Sequence, residues 1–471
     1  MTRKGIGLTG GRRALRATLL ACLGALALAA PAAGAQSGHL DSQFGRSGKI
    51  TISTGLLGPA VESIWPGESK GFRPQLVAAG KGSILFADRQ RIFRVEKSGR
   101  LDPQFGQGGY VTVEAPNGHL LTPHDIAIDP AGRILVAADV QDAGAQPEKT
   151  PGLDEHGFPL HGPPLSRAAV LRLLPNGAPD PSFGSGGIVE STVNAPAPSY
   201  EGRSYATPSV RGLAVASDPQ GRPILSGSFV SQAFACYPFT FMQFATKAFV
   251  ARFGAGGALE SVSADPAVAA PGAGTALLRA GSGNSIFERY ANGICQRGGP
   301  LDEDSTIAFL DSDGNPSGGF APATVSFAGP PALAGDARGR VVLAGQKELS
   351  NEGLGYVATR LRADGSLDTG FGQGGEASLD ASTGPLDQIA VDASNGLLVP
   401  GSLRGTSEAG GGLAVSRLTA RGQLDGRFGS QGTLQIRFNA AESGSAAATM
   451  VDGAGRIVIA GSLVPTGHGP V

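Results

Sequence analysis

The sequence is short of cysteine, tryptophan, methionine and charge. Its 471 residues hold 3 Cys, 1 Trp and 3 Met, and only 16% are Asp, Glu, Lys or Arg. No CxxC pair or Cys/His cluster occurs, which argues against a zinc ribbon or finger. Lysines and arginines do not gather into a basic face, so the electrostatic footprint of a nucleic-acid-binding protein is missing. After the first 35 residues no apolar run approaches the roughly 20 residues that span a bilayer. HExxH and P-loop phrases are missing, and after the first 35 residues the many Gly-x-Gly matches open no helix.

The first 35 residues stand apart. Arg3, Lys4, Arg12, Arg13 and Arg16 precede the apolar run "ATLLACLGALALAA", and "AGA" at 33–35 offers small residues for cleavage before Gln36, the layout of a secretory signal. The pair Arg12 and Arg13 admits twin-arginine export as an alternative to the general secretory route. Loss of residues 1–35 takes five positive charges from a formal net charge of −1, leaving about −6. The mature chain, 36–471, is therefore expected to be a soluble, mildly acidic single domain outside the cytoplasm, secreted or at the cell surface. Cys236 and Cys295 then remain, and an even count in an oxidising compartment predicts a disulfide between them.

Glycine and proline are abundant, with 74 Gly and 33 Pro against 41% apolar residues. Apolar runs are four to six residues long, β-branched and bounded by Gly, Asp, Asn or Pro, which predicts an all-β chain. A nine-residue phrase recurs: "LDSQFGRSG" at 40–48, "LDPQFGQGG" at 101–109, "PDPSFGSGG" at 179–187, "LDTGFGQGG" at 367–375 and "LDGRFGSQG" at 424–432. Hairpins of the type "IAIDPAGRILVAAD" recur with it, expected near 76–88, 124–139, 212–228, 277–290, 332–346, 388–402 and 448–462. A third strand, often carrying Arg beside an apolar residue, follows the hairpins, as in "AVLRLL" and "VATRL", and a fourth β-prone stretch follows the phrase. Four strands per unit is the arithmetic of a propeller blade, so the sequence predicts a seven-bladed propeller of four-stranded antiparallel blades. Its ring is expected to close by pairing the N-terminal strand "KITIS" (49–53) with the C-terminal hairpin, although that last unit shows no Arg-bearing third strand. In this scheme Phe44, Phe105, Phe183, Phe371 and Phe428 are packing anchors, with Phe320 as a degenerate sixth.

The "LDxxFGxGG" phrases, each after an "R-L-x-x-[DN]-G" strand and before an "[VI]-D-x-x-G-[RK]-[IV]" hairpin, resemble the delta-60 repeat family of bacterial secreted and surface proteins. The resemblance runs from about residue 39 to 464, and the hairpins are similar to NHL-type propeller repeats. It implies a fold and no chemistry, since that family offers no catalytic residues to carry over. The units around 254–268 and 277–290 depart most from the pattern.

Candidate binding residues follow from the propeller scheme. Polar residues just ahead of the inner strands would ring a channel mouth: Arg73 and Gln75, His124 and Asp125, Arg211, Thr275, and Asp387 and Gln388. Two arginines in this ring would repel a cation, so no metal or other cofactor is expected. The aromatic insertion 230–249, with Tyr237, Phe239 and Phe241, is a second candidate for recognition, and the insertion 140–168 reads as an exposed loop. The function expected from these features is that of a monomeric binding scaffold for a protein, a glycan or a small molecule. The alternative is a metal-dependent hydrolase or lyase of the lactonase-like propeller type acting at the channel mouth.

Overall fold

The computed structural model describes residues 40–52, 75–88, 91–114, 119–141, 149–153, 159–161, 166–191, 199–200, 203–204, 209–233, 243–264, 281–282, 303–305, 325–327, 331–336, 338–349, 353–379, 386, 388–403, 411–438 and 442–465. Among them there is no helix. Short β-branched runs cut by glycine are too brief for helical turns and suit strands buried on both faces.

Five antiparallel meanders of four strands form the blades. The first is Gln75–Ala79, Ser83–Asp88, Arg91–Val95 and Tyr110–Thr112, and the second Leu120–Ile128, Ile134–Gln141, Ser166–Leu173 and Ile188–Glu190. The third comprises Ser209–Ser217, Pro223–Ala233, Gln243–Phe253 and Leu259–Ala264. The fourth is Ala332–Gly335, Val341–Leu349, Gly353–Leu361 and Glu376–Ser378, and the fifth Ala390–Val391, Leu397–Leu403, Gly412–Leu418 and Thr433–Arg437. A three-stranded sheet (Gly281–Ser282, Glu303–Ser305, Val325–Phe327) and a two-stranded hairpin (Glu442–Val451, Ile457–Pro465) accompany them.

The propeller reading stands, but the count of seven blades is corrected to five. A hairpin becomes a blade only when third and fourth strands pair with it, so counting hairpins counts too many. Of the hairpin expected at 277–290 only Gly281–Ser282 falls within the described residues, and the last hairpin has two strands. Closure by strand pairing is corrected as well. Residues 50–52 are not a strand, because the phrase folds on itself through a Gly45–Lys49 bridge, and no ladder joins it to the last hairpin among the described residues. Side chains make the contact instead: Phe44 packs with Leu76, Ile84, Met450 and Val458, and Asp41 meets Arg456 at 3.3 Å.

Face-to-face packing supplies the core. Alternate residues of Ile134–Gln141 point to opposite neighbours, so Ile134, Val136 and Ala138 pack toward the first sheet while Leu135 and Ala137 pack toward the third. All five are buried to 2% exposure or less. Phe105, Phe183, Phe371 and Phe428 are equally buried, as the repeat scheme requires, while Phe44 is partly buried. Phe320 lies outside the described residues.

Candidate functional site

The two ends of each sheet are built differently, and the turn end is repeated almost unchanged. In the inner hairpin of the second sheet, one oxygen of Asp129 accepts the N–H groups of Ala131 and Arg133 at 2.9 Å, while the other accepts Arg133 Nε at 2.5 Å. Asp218, Asp336 and Asp452 repeat this with Arg222, Arg340 and Arg456. The third strand and the phrase add a second unit. Arg172 Nε donates to Asp180 Oδ2 at 2.7 Å, its guanidinium lies 4.4 Å over the Phe183 ring, and its Nη1 donates to Ala255 O of the next sheet at 2.7 Å. Arg94, Arg360 and Arg417 pair likewise with Asp102, Asp368 and Asp425, over Phe105, Phe371 and Phe428 at 4.5–4.8 Å, and Arg94 and Arg360 also reach Pro175 O and Ala420 O of the following sheets. The sheets are pressed together here. Gly177, at φ +88°, sits where a Cβ would come within 2.5 Å of Val111 and 3.0 Å of Phe105 in the preceding sheet, so only glycine fits.

Charge is accommodated in this core because it is paired. Burial works to raise the Asp180 pKa, but hydrogen bonds from Ser182 and the Arg172 guanidinium outweigh it and hold the carboxyl below the usual carboxylate range. Asp425 is likewise held low, by the Arg427 N–H and Arg417 against the effect of burial. The third sheet lacks the phrase, and Glu260 from its fourth strand faces Arg252 at 3.4 Å where the phrase aspartate stands in other sheets.

The opposite end carries the connections between second and third strands, and no two agree. They are residues 89–90, 142–165, 234–242, 350–352 and 404–411. The second of these holds its own ladder, Lys149–Leu153 with Pro159–His161. In the third sheet, the pairs Ser231–Ala245, Gln232–Phe244 and Ala233–Gln243 continue past the last inner-strand pair, Ser209–Val230, so the arm projects. Gly345–Leu349 and Gly353–Val357 project similarly from the fourth sheet.

Several expected site residues lie at this end. A β-bulge between Pro123 and Asp125 leaves His124 out of the ladder and re-aims its ring, and Nε2 lies 2.7 Å from Asp139 Oδ2. The histidine side chain is 18% exposed and the aspartate 6%, so the imidazole is oriented by a buried carboxylate yet reachable. Bulges recur in the same place at Gly212/Ala214 and Ala446/Ala448. Asp125 Oδ2 accepts the N–H of Val215 in the third sheet at 3.0 Å. The Gln388 amide clasps the backbone of Leu76 in the first sheet, accepting its N–H at 2.9 Å and donating to its carbonyl at 2.8 Å. Arg211 pairs with Ser228 along the ladder. Arg73, Tyr237, Phe239, Phe241, Asp387, Cys236 and Cys295 fall outside the described residues, as does the N-terminal segment 1–35. Sequence reading missed Asp139 and a neighbouring cluster in which Arg167 bonds Glu190 at 2.7 Å and His119 at 3.2 Å. The one available signal was the Asp closing "ILVAAD", where four other hairpins carry Gly-Ser or Gly-Gln. No group of three or more His, Cys, Asp or Glu among the described residues is placed to hold a metal ion.

A family model described as "Domain of unknown function (DUF5122) beta-propeller" matches residues 165–183, the stretch that contains Arg172, Asp180 and Phe183. No curated protein matches the chain. Among solved structures, a protein of unknown function from Dyadobacter fermentans is 12% identical at a TM-score of 0.33, covering 84% of this chain and 94% of its own. An α-L-arabinanase from Penicillium chrysogenum, complexed with arabinobiose, is 10% identical at 0.35, covering 84% and 93%. An α-L-arabinofuranosidase from Lactobacillus brevis is 11% identical at 0.29, covering 78% and 90%. Nothing of those proteins' activities transfers to this chain at such similarity.

Proposed function

We propose that the protein is an exported β-propeller scaffold of the delta-60, NHL-like kind, whose connection end recognises a ligand. The observation that carries this reading is the asymmetry of the two ends. One is held to a single geometry by the repeated Asp, Arg and Phe contacts, while the other varies from a two-residue link to a segment with its own ladder. Rigid scaffolds that vary at one end are suited to binding. The basic and apolar start of the chain supports export to the outside of the cell, and the ligand classes compatible with such a surface are a protein, a glycan or a small molecule. Glycan and small-molecule arrays probed with the mature chain, and with a variant in which a two-residue link replaces 142–165, test the reading. Binding that the replacement weakens supports it; binding unaffected by exchange of any of the five connections contradicts it.

A second reading, a hydrolase or lyase at the same end, is favoured by the His124–Asp139 pair, since a carboxylate-oriented imidazole is suited to proton transfer. Loss of turnover in His124→Asn with binding retained would support it over the scaffold reading.

A further inference from the structure

We infer that the last hairpin takes a third strand from a partner, an extended segment carrying an arginine between apolar residues and ending in a tight turn. Three observations point to the same place. First, the outer edge of Ile457–Pro465 pairs with no strand among the described residues, and Ile457, Val458 and Ile459 are only half-buried. Their counterparts beneath a third strand, Ile134, Leu135 and Val136, are 2%, 0% and 0% exposed.

Second, the receptor for the arginine is already built. The N-terminal phrase brings Asp41 and Phe44 to this hairpin, and Arg456 reaches across from the hairpin turn to serve them both. Arg456 makes all three contacts of a third-strand arginine, and each is longer than in the complete sheets. It meets Asp41 at 3.3 Å against 2.7–2.8 Å, lies 5.9 Å from the Phe44 ring against 4.4–4.8 Å, and reaches Lys97 O at 3.1 Å against 2.5–2.7 Å. It also keeps its bond to Asp452 at 2.7 Å. One guanidinium thus spans the places that two fill elsewhere.

Third, among the described residues the neighbouring sheet meets no turn of the kind that such a strand would bring. The phrase glycines Gly45, Gly106, Gly184 and Gly372 each donate to a carbonyl in the third-strand turn of the following sheet, namely Ser98, Asn176, Gly256 and Arg421. Gly429 faces the hairpin and has no such acceptor among the described residues. A strand laid antiparallel on Ile457–Pro465 would cover the apolar edge, give Asp41 and Phe44 a guanidinium of their own and offer a turn carbonyl to Gly429. This is strand addition to a sheet edge, with backbone bonds giving affinity and the arginine giving register.

The probe is a labelled peptide of residues 168–178, "AAVLRLLPNGA", titrated into the full chain and followed by anisotropy. Saturable binding is expected, weakened about tenfold or more when the peptide carries Arg172→Leu, as loss of one charge-assisted contact predicts. The protein variant Asp41→Asn should weaken the unmodified peptide similarly. Hydrogen exchange on the unaltered protein removes any doubt about the variant's folding, because the peptide should protect the amides of 457–465 and leave those of 134–141 unchanged. No binding at millimolar peptide, binding indifferent to the arginine, protection elsewhere, or an edge already protected in a dimer of the chain would each overturn the inference.

Discussion

At the turn end, four sheets hold an arginine 4.4–4.8 Å over a phenylalanine ring and within 2.8 Å of an aspartate; at the connection end, one sheet has a two-residue link and the next a segment with its own ladder. The chemistry explains why the first cannot vary. A buried guanidinium costs several kcal/mol unless it is paired, so sequence, spacing and neighbouring turn are fixed together. No pairing repeated from sheet to sheet fixes the connection end among the described residues, and its connections differ in length in every sheet. A repeated geometry therefore marks a joint.

The largest expected effect comes from breaking a joint. Asp180→Ala would leave Arg172, whose side chain is 1% exposed, without its carboxylate, and should cost about 3–5 kcal/mol in urea unfolding. A loss below about 1 kcal/mol would mean that the phrase is not the joint. Acid should act on the same groups. The Asp180 and Asp425 pKa values are depressed in the folded chain, so their stabilisation is complete above the ordinary carboxylate pKa of about 4 and disappears as pH falls through the lower folded values. Melting temperature should fall as pH is lowered from about 5 to below 3, and Asp180→Asn should flatten part of that slope. A profile unchanged by the substitution would remove Asp180 from the account.

Gln388→Ala tests whether the connection end has joints of its own. It removes both bonds to Leu76 and should cost about 1–3 kcal/mol in the same unfolding measurement. The smallest change is a gain. Ser47 and Gln431 stand at φ +55° and +52°, at phrase positions that Gly108, Gly186 and Gly374 fill elsewhere. Replacing either by glycine should stabilise by about 0.5–1 kcal/mol, read as a higher urea midpoint.

Local features were legible in the sequence and distant ones were not. The hairpins at 124–139 and 448–462, their turn aspartates and the buried Phe105, Phe183, Phe371 and Phe428 all follow from spacings within a few residues. Both halves of the Arg172–Asp180 pair were visible, but their meeting was hidden, since eight residues and a turn separate them. Blade number depends on third and fourth strands finding a hairpin, which no local pattern records. At the candidate site, Asp125 and Gln388 stood out as polar residues ahead of inner strands, whereas their partners are 90 and 312 residues away in the chain.

One paired measurement tests the division most directly: urea unfolding of Arg172→Leu beside the variant in which a two-residue link replaces 142–165. The account predicts that the substitution lowers stability by about 3 kcal/mol or more, while removal of the connection changes it by less than about 0.5 kcal/mol. The reverse order, a robust arginine variant and an unfolded connection variant, would contradict it.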